Sequence, residues 1–390
     1  MHYKFIPPKD LHPSIKLAEY CFVTQPGCDR TKEMLPLLEQ EVGLGGYENE
    51  ELVTQLYIYP FEMNVFGITM PMGGIATVST YPEYRTGGHT KRLLLKSLEV
   101  MREKGQLVSV LAPFSESFYR QYGWEVFFEN TRYKIPVEQV QMRFREENEK
   151  VVRFDTTNEA WQKKIQAYYT KMVSKRNGLT YRDDYWWMRL NTREFDAFYA
   201  ASLDADGEID GYIRYRIENK EFKVLDFFTD HARAERVLFQ YIARHASQVE
   251  SVVGKSPVQG SFPAQLKHPE EVEREVFFDK MVRIVDVEAF LKVYPFEEIT
   301  KPLYVKITDP SAPWNEYTFR IGHDGTVTKP KQVETDKVLE MEIGPFSAMM
   351  MGYHDINWYE WHGYAKALNT VKENWKQAVP VGYPSSHDDF

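Results

Sequence analysis

The chain has 390 residues, of which 43% are hydrophobic and 27% are charged. These ordinary globular values exclude a disordered or fibrous protein, and the length predicts two or three domains. The formal net charge of −9 argues against general binding to nucleic acid, because such binding needs a basic face that releases counterions from phosphates. A small cationic substrate suits this charge better.

The cysteine content and the hydropathy pattern bear on the compartment. The two cysteines, Cys21 and Cys28, are too few for a disulfide framework, so we expect buried or free thiols. The opening residues MHYKFIPPKD lack the apolar core of a signal peptide, and no later window approaches the roughly 18 apolar residues that a membrane helix needs. We therefore expect a cytoplasmic protein with no membrane partner.

The first part of the chain alternates helical and extended patterns, which is typical of a mixed α/β fold. Its predicted elements are, in chain order, helices over 16–21 and 31–42, strands over 52–59, 63–69 and 75–80, a helix over 90–104 and a strand over 107–111. We interpret Gly73 and Gly74 as introducing the third strand, and Gly105 as ending the helix that follows it.

A strongly charged stretch, RFREENEK at 143–150, predicts a solvent-facing boundary. The segment after it repeats the order strand, strand, helix at 211–217, 222–229 and 232–249. The last segment offers strands at 303–307 and 317–321, a turn at 323–325, and helices after Pro345 and over 369–377. We expect three domains, at 1–145, 146–284 and 285–390.

The most informative stretch is VSTYPEYRTGGHT, residues 78–90, which lies between a predicted strand and a predicted helix. Free amide groups at a helix start carry partial positive charge and can hold a pyrophosphate. Gly87 and Gly88 suit that role, because a Cβ would obstruct the approach of the backbone to phosphate oxygens. Arg85 adds a fixed positive fork for the same oxygens.

Spacing alone does not separate this phosphate site from a simple surface turn capped by Thr90, since glycine pairs are common in turns. The strand edges at Val78 and Thr80 would pair with the amides of a pantetheine arm if a cofactor lies there. The loop is neither a Rossmann fingerprint nor a Walker loop.

The order strand, xPxYRxxGxx, helix resembles the acetyl-CoA signature of the GNAT acetyltransferase superfamily. Arg85, Gly88 and Thr90 stand at the positions of its Arg-x-x-Gly-x-Gly/Ala motif, although Thr90 departs from the usual small last residue. The resemblance implies acetyl-CoA as the cofactor. The residues that it implies for cofactor binding are Val78, Ser79, Thr80, Arg85, Thr86, Gly87, Gly88, His89, Thr90 and Ser115.

A second matching stretch is PFSESFYRQYGWE, residues 113–125, where the superfamily often has a short helix with Phe-Tyr-x-x-x-Gly-Phe. The resemblance implies that Tyr119 protonates the departing thiolate, a role suited to a phenol that stays protonated at neutral pH. The alternative for Tyr119 is a packed core aromatic whose hydroxyl binds the backbone.

The whole chain resembles the Eis (enhanced intracellular survival) acetyltransferases, which acylate amines including aminoglycosides. The resemblance rests on the order of three segments and on patches such as YWWxRL at 185–190. It implies an α/β (α+β) fold class: tandem GNAT folds, each a mixed sheet with flanking helices, and a C-terminal sterol-carrier-protein-like domain. We expect the second GNAT unit to be silent, because no glycine follows its strand and Asp230 would repel a phosphate.

The last residues, SSHDDF at 385–390, carry the remaining prediction. In Eis proteins the carboxylate of a final phenylalanine accepts a proton from the attacking ammonium, so the resemblance implies Phe390 as the catalytic base. An amine must lose its proton before it attacks a thioester, and a carboxylate in a dry cleft gains basicity. The alternative is a frayed acidic tail.

We therefore expect an N-acetyltransferase that transfers acetyl directly to a primary amine of a small cationic acceptor. No zinc motif or Gly-x-Ser-x-Gly elbow occurs, so we expect no metal. The resemblance implies a homo-oligomer, with a hexamer as the expected state. Alternatives are a GNAT that acts on a protein lysine, an N-terminus or a small metabolite, and a non-catalytic acyl-CoA or lipid-binding scaffold.

Overall fold

The computed structural model describes residues 1–22, 34–35, 38–258, 260 and 262–390. Within these residues the strands are, in chain order, β1 (His2–Phe5), β2 (Val42–Glu48), β3 (Glu51–Val65), β4 (Ile68–Thr80), β5 (Val108–Leu111), β6 (Glu125–Val126), β7 (Glu129–Pro136), β8 (Val151–Asp155), β9 (Thr180–Tyr181), β10 (Phe198–Leu203), β11 (Ile209–Glu218), β12 (Glu221–Thr229), β13 (Ser251–Pro257), β14 (Glu273–Phe278), β15 (Met281–Ile284), β16 (Leu303–Thr308), β17 (Thr318–Ile321), β18 (Val327–Thr328), β19 (Leu339–Glu342) and β20 (Ala365–Lys366).

The α-helices of the same residues are α1 (Leu11–Cys21), α2 (His89–Glu103), α3 (Glu116–Arg120), α4 (Glu159–Val173), α5 (Asp184–Arg193), α6 (Ala232–Ala243), α7 (Phe262–Gln265), α8 (Val287–Val293), α9 (Ile343–Met350), α10 (Ile356–Trp361) and α11 (Asn369–Ala378). The described residues form two compact units. Unit 1 consists of Met1–Phe128, Asn177–Thr180 and Lys280–Phe390, and unit 2 of Glu129–Arg176 and Tyr181–Asp279. The division into three domains with boundaries at 145/146 and 284/285 stays a prediction.

The large sheet of unit 1 has the order β1-β2-β3-β4-β5-β15-β6. Along this order the strands pair antiparallel except β4 and β5, which run parallel from Met72↔Val108 to Ile75↔Leu111. Because β4 continues to Thr80 while β5 ends at Leu111, the two strands part beyond this last pair. We call the stretch of β4 that pairs with β3 but not with β5, residues 76–80, the strand opening.

Helix α2 connects the two parallel strands and covers one face of the sheet. Leu94, Leu98 and Met101 on its apolar face pack in one buried cluster with Ile75 and Leu111. The helix predicted over 90–104 is confirmed. Gly105 follows the helix with φ +72, as its predicted role in ending the helix requires.

The hairpin between β3 and β4 corrects two predictions. Phe66 (φ +48) and Gly67 (φ +90) form its turn, so the strand predicted over 63–69 is wrong. Gly73 and Gly74 do not introduce a strand but lie inside β4. A Cβ on Gly73 would clash with Met101, and one on Gly74 would lie 2.9 Å from the rings of Phe61 and Phe390.

The C-terminal part of unit 1 adds a sheet with the order β18-β17-β16-β19-β20. Its strands bury Val305, Phe319 and Met341 against Phe346 of α9 and Trp375 of α11, in one large cluster that also contains residues of β4, β5 and β15. The domain therefore has a filled aromatic and aliphatic core.

Unit 2 repeats the arrangement of the large sheet, with the order β14-β7-β13-β12-β11-β10-β8. Strands β12 and β13 pair in parallel from Glu221↔Ser251 to Lys223↔Val253, and α6 packs on them through Leu238 and Ile242. The mixed sheets with flanking helices confirm the predicted fold class.

Several predicted boundaries differ from the observed ones. The helix predicted over 31–42 falls in part outside the described residues, and Val42 already belongs to β2. The predicted helix over 232–249 ends at Ala243, and the helix placed after Pro345 begins at Ile343. Among the described residues, none of the helices has the length and apolar character needed to cross a bilayer.

Candidate active site

The strand opening is shaped by an irregularity in β4. The register between β3 and β4 shifts between Gln55 and Tyr57, and Thr77 opposite this shift has a left-handed φ of +53. Such a bulge bends a strand and re-aims its backbone groups. Val78 is half-buried, whereas Ser79 and Thr80 are buried. The bulge therefore turns the edge of β4 outward where β5 no longer covers it.

The loop after β4 leads into α2 through a glycine N-cap, which has no side chain to cap the helix. Pro82–Gly87 form a 3₁₀ turn, and Gly88 stands at the N-cap with φ +66. Among the described residues, no side chain caps the first amides of α2, so these N–H groups can bind an anion. Arg85 donates from Nε to the Thr80 carbonyl at 3.2 Å, and its side chain is otherwise exposed. Thr86, next to it, is exposed as well.

A chain of hydroxyl groups ties the start of α2 to the end of β4. The Thr54 and Thr80 hydroxyls lie 2.7 Å apart, and those of Thr80 and Thr90 lie 3.2 Å apart. Thr90 thus binds the strand where a smaller residue would only pack against it. This contact explains how the departure from the GNAT motif at Thr90 is accommodated.

His89 and Arg92 cover one side of the loop. The His89 Nδ1 lies 2.7 Å from the Tyr3 hydroxyl, and Arg92 donates to the Gly87 carbonyl at 2.9 Å. Burial, followed by the nearby Arg92 charge, lowers the pKa of His89 below its ordinary value. A Cβ on Gly87 would clash with the His89 ring, so glycine at this position makes room for a protein side chain.

Tyr119 lies in the cluster of Ile75 and Leu111, the pair beyond which β4 and β5 part. It is 2% exposed and packs edge-on against Phe114 and Phe118 at ring distances of 5.3 and 5.2 Å. Burial alone raises the pKa of its phenol above the ordinary value of 10.0, and no side-chain partner contributes to this shift. The phenol therefore stays protonated at neutral pH.

Ser115 begins the helix that carries Tyr119. Its backbone is extended, its carbonyl accepts from the Tyr119 amide at 3.4 Å, and its hydroxyl lies 3.1 Å from that of Ser117. Ser115 is half-buried, so its hydroxyl remains accessible beside the end of β5.

Phe390 packs on the large sheet of unit 1 rather than forming a frayed end. Its ring lies 5.1 Å from that of Phe61 and 6.2 Å from that of Tyr59. It fills the space above Gly74, the residue directly before Ile75 in β4. Phe390 and Tyr119 therefore both lie next to the last paired residues of β4 and β5.

Unit 2 lacks the features that make the start of α2 an anion site. In α6 the side chain of His231 accepts from the Ala234 amide and caps the helix. Asp230 before it is paired with Lys171 at 3.0 Å and Lys175 at 3.2 Å. The two lysines partly neutralise the Asp230 charge that was expected to repel a phosphate. The His231 cap is therefore the clearer obstacle to phosphate binding at the start of α6.

Sequence reasoning missed the residues that seat Phe390. Tyr59 and Phe61 in β3 and Gly74 in β4 form an aromatic seat whose parts are far apart in sequence. The available signal was the pair Gly73-Gly74 inside an otherwise apolar strand, since such glycines mark close approach of another group. The buried Lys280 was missed as well.

Comparisons with known proteins agree with this geometry. Two family models described as acetyltransferase (GNAT) domain match residues 2–127 and 178–284, and a sterol carrier protein domain model matches residues 287–381. An uncharacterized N-acetyltransferase of Streptomyces avermitilis is 22% identical over 344 residues, covering 83% of this chain and 81% of the relative.

Two solved structures share the fold over the whole chain. A probable N-acyltransferase from Enterococcus faecalis V583 has a TM-score of 0.91 and 25% identity, covering 100% of this chain and 99% of the other. Eis1 from Mycobacterium abscessus has a TM-score of 0.84 and 18% identity, with 100% of both chains covered. At that identity the likeness to Eis1 concerns the fold alone.

The chain therefore contains two GNAT acetyltransferase domains followed by a sterol carrier protein domain. It is an N-acetyltransferase that uses acetyl-CoA. The residues present fit that cofactor, because the amides of α2 are uncapped behind the left-handed Gly88 and Arg85 lies beside them.

Proposed function

We propose that this enzyme transfers acetyl directly from acetyl-CoA to a primary amine of a small cationic acceptor, with aminoglycosides and polyamines as the acceptor class. The proposal makes it an acetyltransferase of the Eis type. The order of its three matched domains and its fold likeness to Eis1 support this. The net charge of −9 also favours the approach of polycations.

Acetyl-CoA supplies the acetyl group as an activated thioester. In the proposed complex, the first amides of α2 and the Arg85 guanidinium hold the pyrophosphate. The backbone of residues 78–80, which no longer pairs with β5, binds the pantetheine arm. The Val78 amide donates a hydrogen bond to the carbonyl oxygen on which negative charge builds during attack.

Two groups move protons in the proposed transfer. The carboxylate of Phe390 accepts, directly or through water, the proton that the acceptor ammonium must lose. The new C–N bond forms as the C–S bond breaks, and the Tyr119 phenol donates a proton to the departing thiolate. The acylated nitrogen releases its second proton to water, and the Tyr119 phenolate regains a proton from solvent. The raised pKa of Tyr119 suits a donor that must be neutral before the step.

One observation carries the proposal. The Tyr119 side chain and the Phe390 ring both lie at the Ile75 and Leu111 level of the sheet, where the strand opening begins. Three groups thus lie along one short stretch of β4: the Tyr119 phenol, Phe390 and the start of α2. That is the set of groups that direct acyl transfer to an amine requires.

Thiol release from acetyl-CoA tests the acceptor class. We expect turnover with aminoglycosides and polyamines and little with a lysine-containing peptide. Turnover confined to the peptide, or cofactor binding without turnover on any amine, would contradict the proposal.

The role of Phe390 is tested by adding one glycine after it, which moves the carboxylate without removing the ring. We expect kcat to fall by roughly 10²-fold or more, the usual contribution of a positioned base. The control Phe390→Leu removes the ring contacts but keeps the carboxylate at residue 390, and should retain more turnover than the extended chain. Unchanged kcat in the extended chain would remove Phe390 as the base.

The resemblance to Eis proteins further leads us to propose a homo-oligomer, with a hexamer as the expected state, located in the cytoplasm. Sedimentation of the purified chain tests the assembly. A monomer at all concentrations would contradict it.

A further inference from the structure

The segment before Phe390 is held in unit 1 by a short stretch distant in sequence. Asn177 accepts from the Ser385 amide at 3.0 Å, and its own side chain donates to the Gly382 carbonyl at 3.1 Å. Gly178 has φ +86, and a Cβ there would lie 2.7 Å from the Ser385 carbonyl oxygen. These contacts fix residues 382–385, but they lie five residues short of Phe390.

A second attachment lies next to Phe390 itself. The Lys280 Nζ donates to Oδ1 of Asp389 at 2.7 Å. The side chain of Lys280 is 1% exposed, whereas that of Asp389 is 48% exposed. A buried ammonium is costly without a charged partner, so loss of the Asp389 carboxylate would leave the buried Lys280 charge without this compensation. We call the Lys280 and Asp389 ion pair the latch.

The latch lies at the level of the sheet where the strand opening begins. Lys280 directly precedes Met281 of β15, which pairs with Leu111 of β5. Leu111 in turn pairs with Ile75 of β4. Lys280 is therefore one residue beyond the last paired row of β4, β5 and β15.

The latch and the Phe390 ring also share one face of the sheet. The Lys280 side chain binds Asp389, the residue next to Phe390, so it reaches the side of the sheet on which the Phe390 ring packs. Val282 belongs to the same core cluster as Met72, and Phe390 packs against that cluster. Two neighbouring residues of the chain, Asp389 and Phe390, are thus fixed on this face by two different contacts, one ionic and one aromatic.

Two fixed neighbours determine the direction of the backbone between them. The ring of Phe390 is set by Phe61 and the space over Gly74, and the Asp389 side chain is set by Lys280. With a Cα to Cα step of about 3.8 Å, the carboxylate of Phe390 has little freedom left. Loss of the latch would remove the contact that holds the residue next to Phe390, and the position of the Phe390 carboxylate would then be less closely defined.

We propose that Lys280 is a positioning residue for the transfer reaction, acting through Asp389 to hold the Phe390 carboxylate at the strand opening. This inference rests on the proposed role of Phe390 as the base. Lys280 does not touch the acceptor in this account. Its effect is on the geometry of proton removal, where an error of about 1 Å costs on the order of 10²-fold in rate.

The test measures kcat and KM in variants of the latch. Asp389→Asn, at the half-exposed partner, is expected to lower kcat by roughly tenfold to a hundredfold while the KM for acetyl-CoA stays the same. Asp389→Glu keeps the charge and should restore most of kcat. Lys280→Met should lower kcat to the same extent, and the double variant should be no worse than either single one, because both remove one interaction.

The matched control is Glu334→Gln, which breaks an exposed ion pair with Lys337 in the same unit and should leave kcat unchanged. A second readout is trimming of the chain end by a carboxypeptidase, which should be faster in Asp389→Asn and Lys280→Met than in the control. Equal trimming and unchanged kcat in Asp389→Asn would overturn the inference. Additive losses in the double variant would do the same.

The glycine extension after Phe390 separates this inference from the proposed function. If the extension lowers kcat while Asp389→Asn does not, Phe390 is the base and the latch does not position it. If the extension leaves kcat unchanged, the proposed base is wrong, and the latch has no role in the reaction.

Discussion

At the residue scale, Gly87 and Gly88 are adjacent but serve different purposes. Gly87 is required by space, because the His89 ring lies where its Cβ would be. Gly88 is required by conformation, since its φ is +66 and nothing lies within 4 Å of an added Cβ. Room for a phosphate is therefore only one of the reasons why glycine occupies these two positions.

The conformational requirement predicts the effect of two substitutions at Gly88. Gly88→Ala forces a left-handed alanine, which costs about 1 to 2 kcal/mol, and it should weaken acetyl-CoA binding as the loop shifts. Gly88→Asn is the matched control, because asparagine tolerates this conformation far better. Binding calorimetry checks both variants, and equal weakening in both would show that the size of the side chain matters rather than φ.

Tyr119 allows a clean test of the proposed acid. Burial is the cause of the raised pKa of Tyr119, and no side-chain hydrogen bond contributes to it. Tyr119→Phe should therefore leave folding and the KM for acetyl-CoA unchanged. We expect kcat to fall by roughly 10²-fold to 10⁴-fold, the range for a positioned general acid. Steady-state kinetics with a polyamine measures this, and undiminished kcat would leave Tyr119 with a packing role only.

The same residue sets an expectation for pH dependence. Burial raises the pKa of the Tyr119 phenol above 10.0. The donor form is the protonated one, so it is fully present below this value and is lost only as pH rises through the raised pKa. The kcat profile should therefore show no decline from Tyr119 below pH 10. A decline below pH 10 that disappears in Tyr119→Phe would contradict the assignment.

At the element scale, α2 and α6 occupy equivalent positions after a parallel strand but begin differently. Within the part of the chain that the structure describes, the first amides of α2 have no side-chain cap, whereas His231 caps α6. We therefore predict one acetyl-CoA per chain, bound by the first GNAT domain. Calorimetry should give a stoichiometry near one, and Arg85→Gln should weaken this binding while His231→Ala leaves it unchanged. Two acetyl-CoA sites per chain would contradict the prediction that α2, and not α6, binds the cofactor.

The elements also show how far the sequence determines the fold. Strands β11 and β12 and helix α11 follow their predicted ranges closely, because clear hydrophobic patterns and turn residues bound them. β1 was not predicted, since a run of four residues is too short to give a clear periodic signal and its pairing partner β2 lies about 40 residues later in the sequence. The β3 to β4 turn was missed because it uses Phe66, a residue type that turn rules do not favour at positive φ.

The candidate site was predictable where its residues are neighbours in sequence. The loop of α2 and the position of Tyr119 on a short helix after β5 follow from local patterns. The seat of Phe390 and the latch were not predictable from pattern, because they join residues from β3, β4, Lys280 and the last two positions. Only the sheet order, in which β15 inserts beside β5, brings these residues together.

At the scale of the whole molecule, the first GNAT domain and the sterol carrier protein domain belong to one compact unit. β15 supports this, because it enters the large sheet between β5 and β6 although it lies more than 150 residues later in the sequence. The last residues can therefore reach β4 without leaving the unit. The domain that follows the catalytic sheet thus brings residue 390 back to it.

In the enzyme as we describe it, the start of α2 holds the cofactor pyrophosphate beside the strand opening. A crystal structure of the chain with coenzyme A tests it most directly. We predict pyrophosphate oxygens within hydrogen-bond distance of the backbone amides of residues 88–90, with the thiol pointing along β4 toward Tyr119 and Phe390. Coenzyme A bound elsewhere, with these amides facing solvent, would contradict the account.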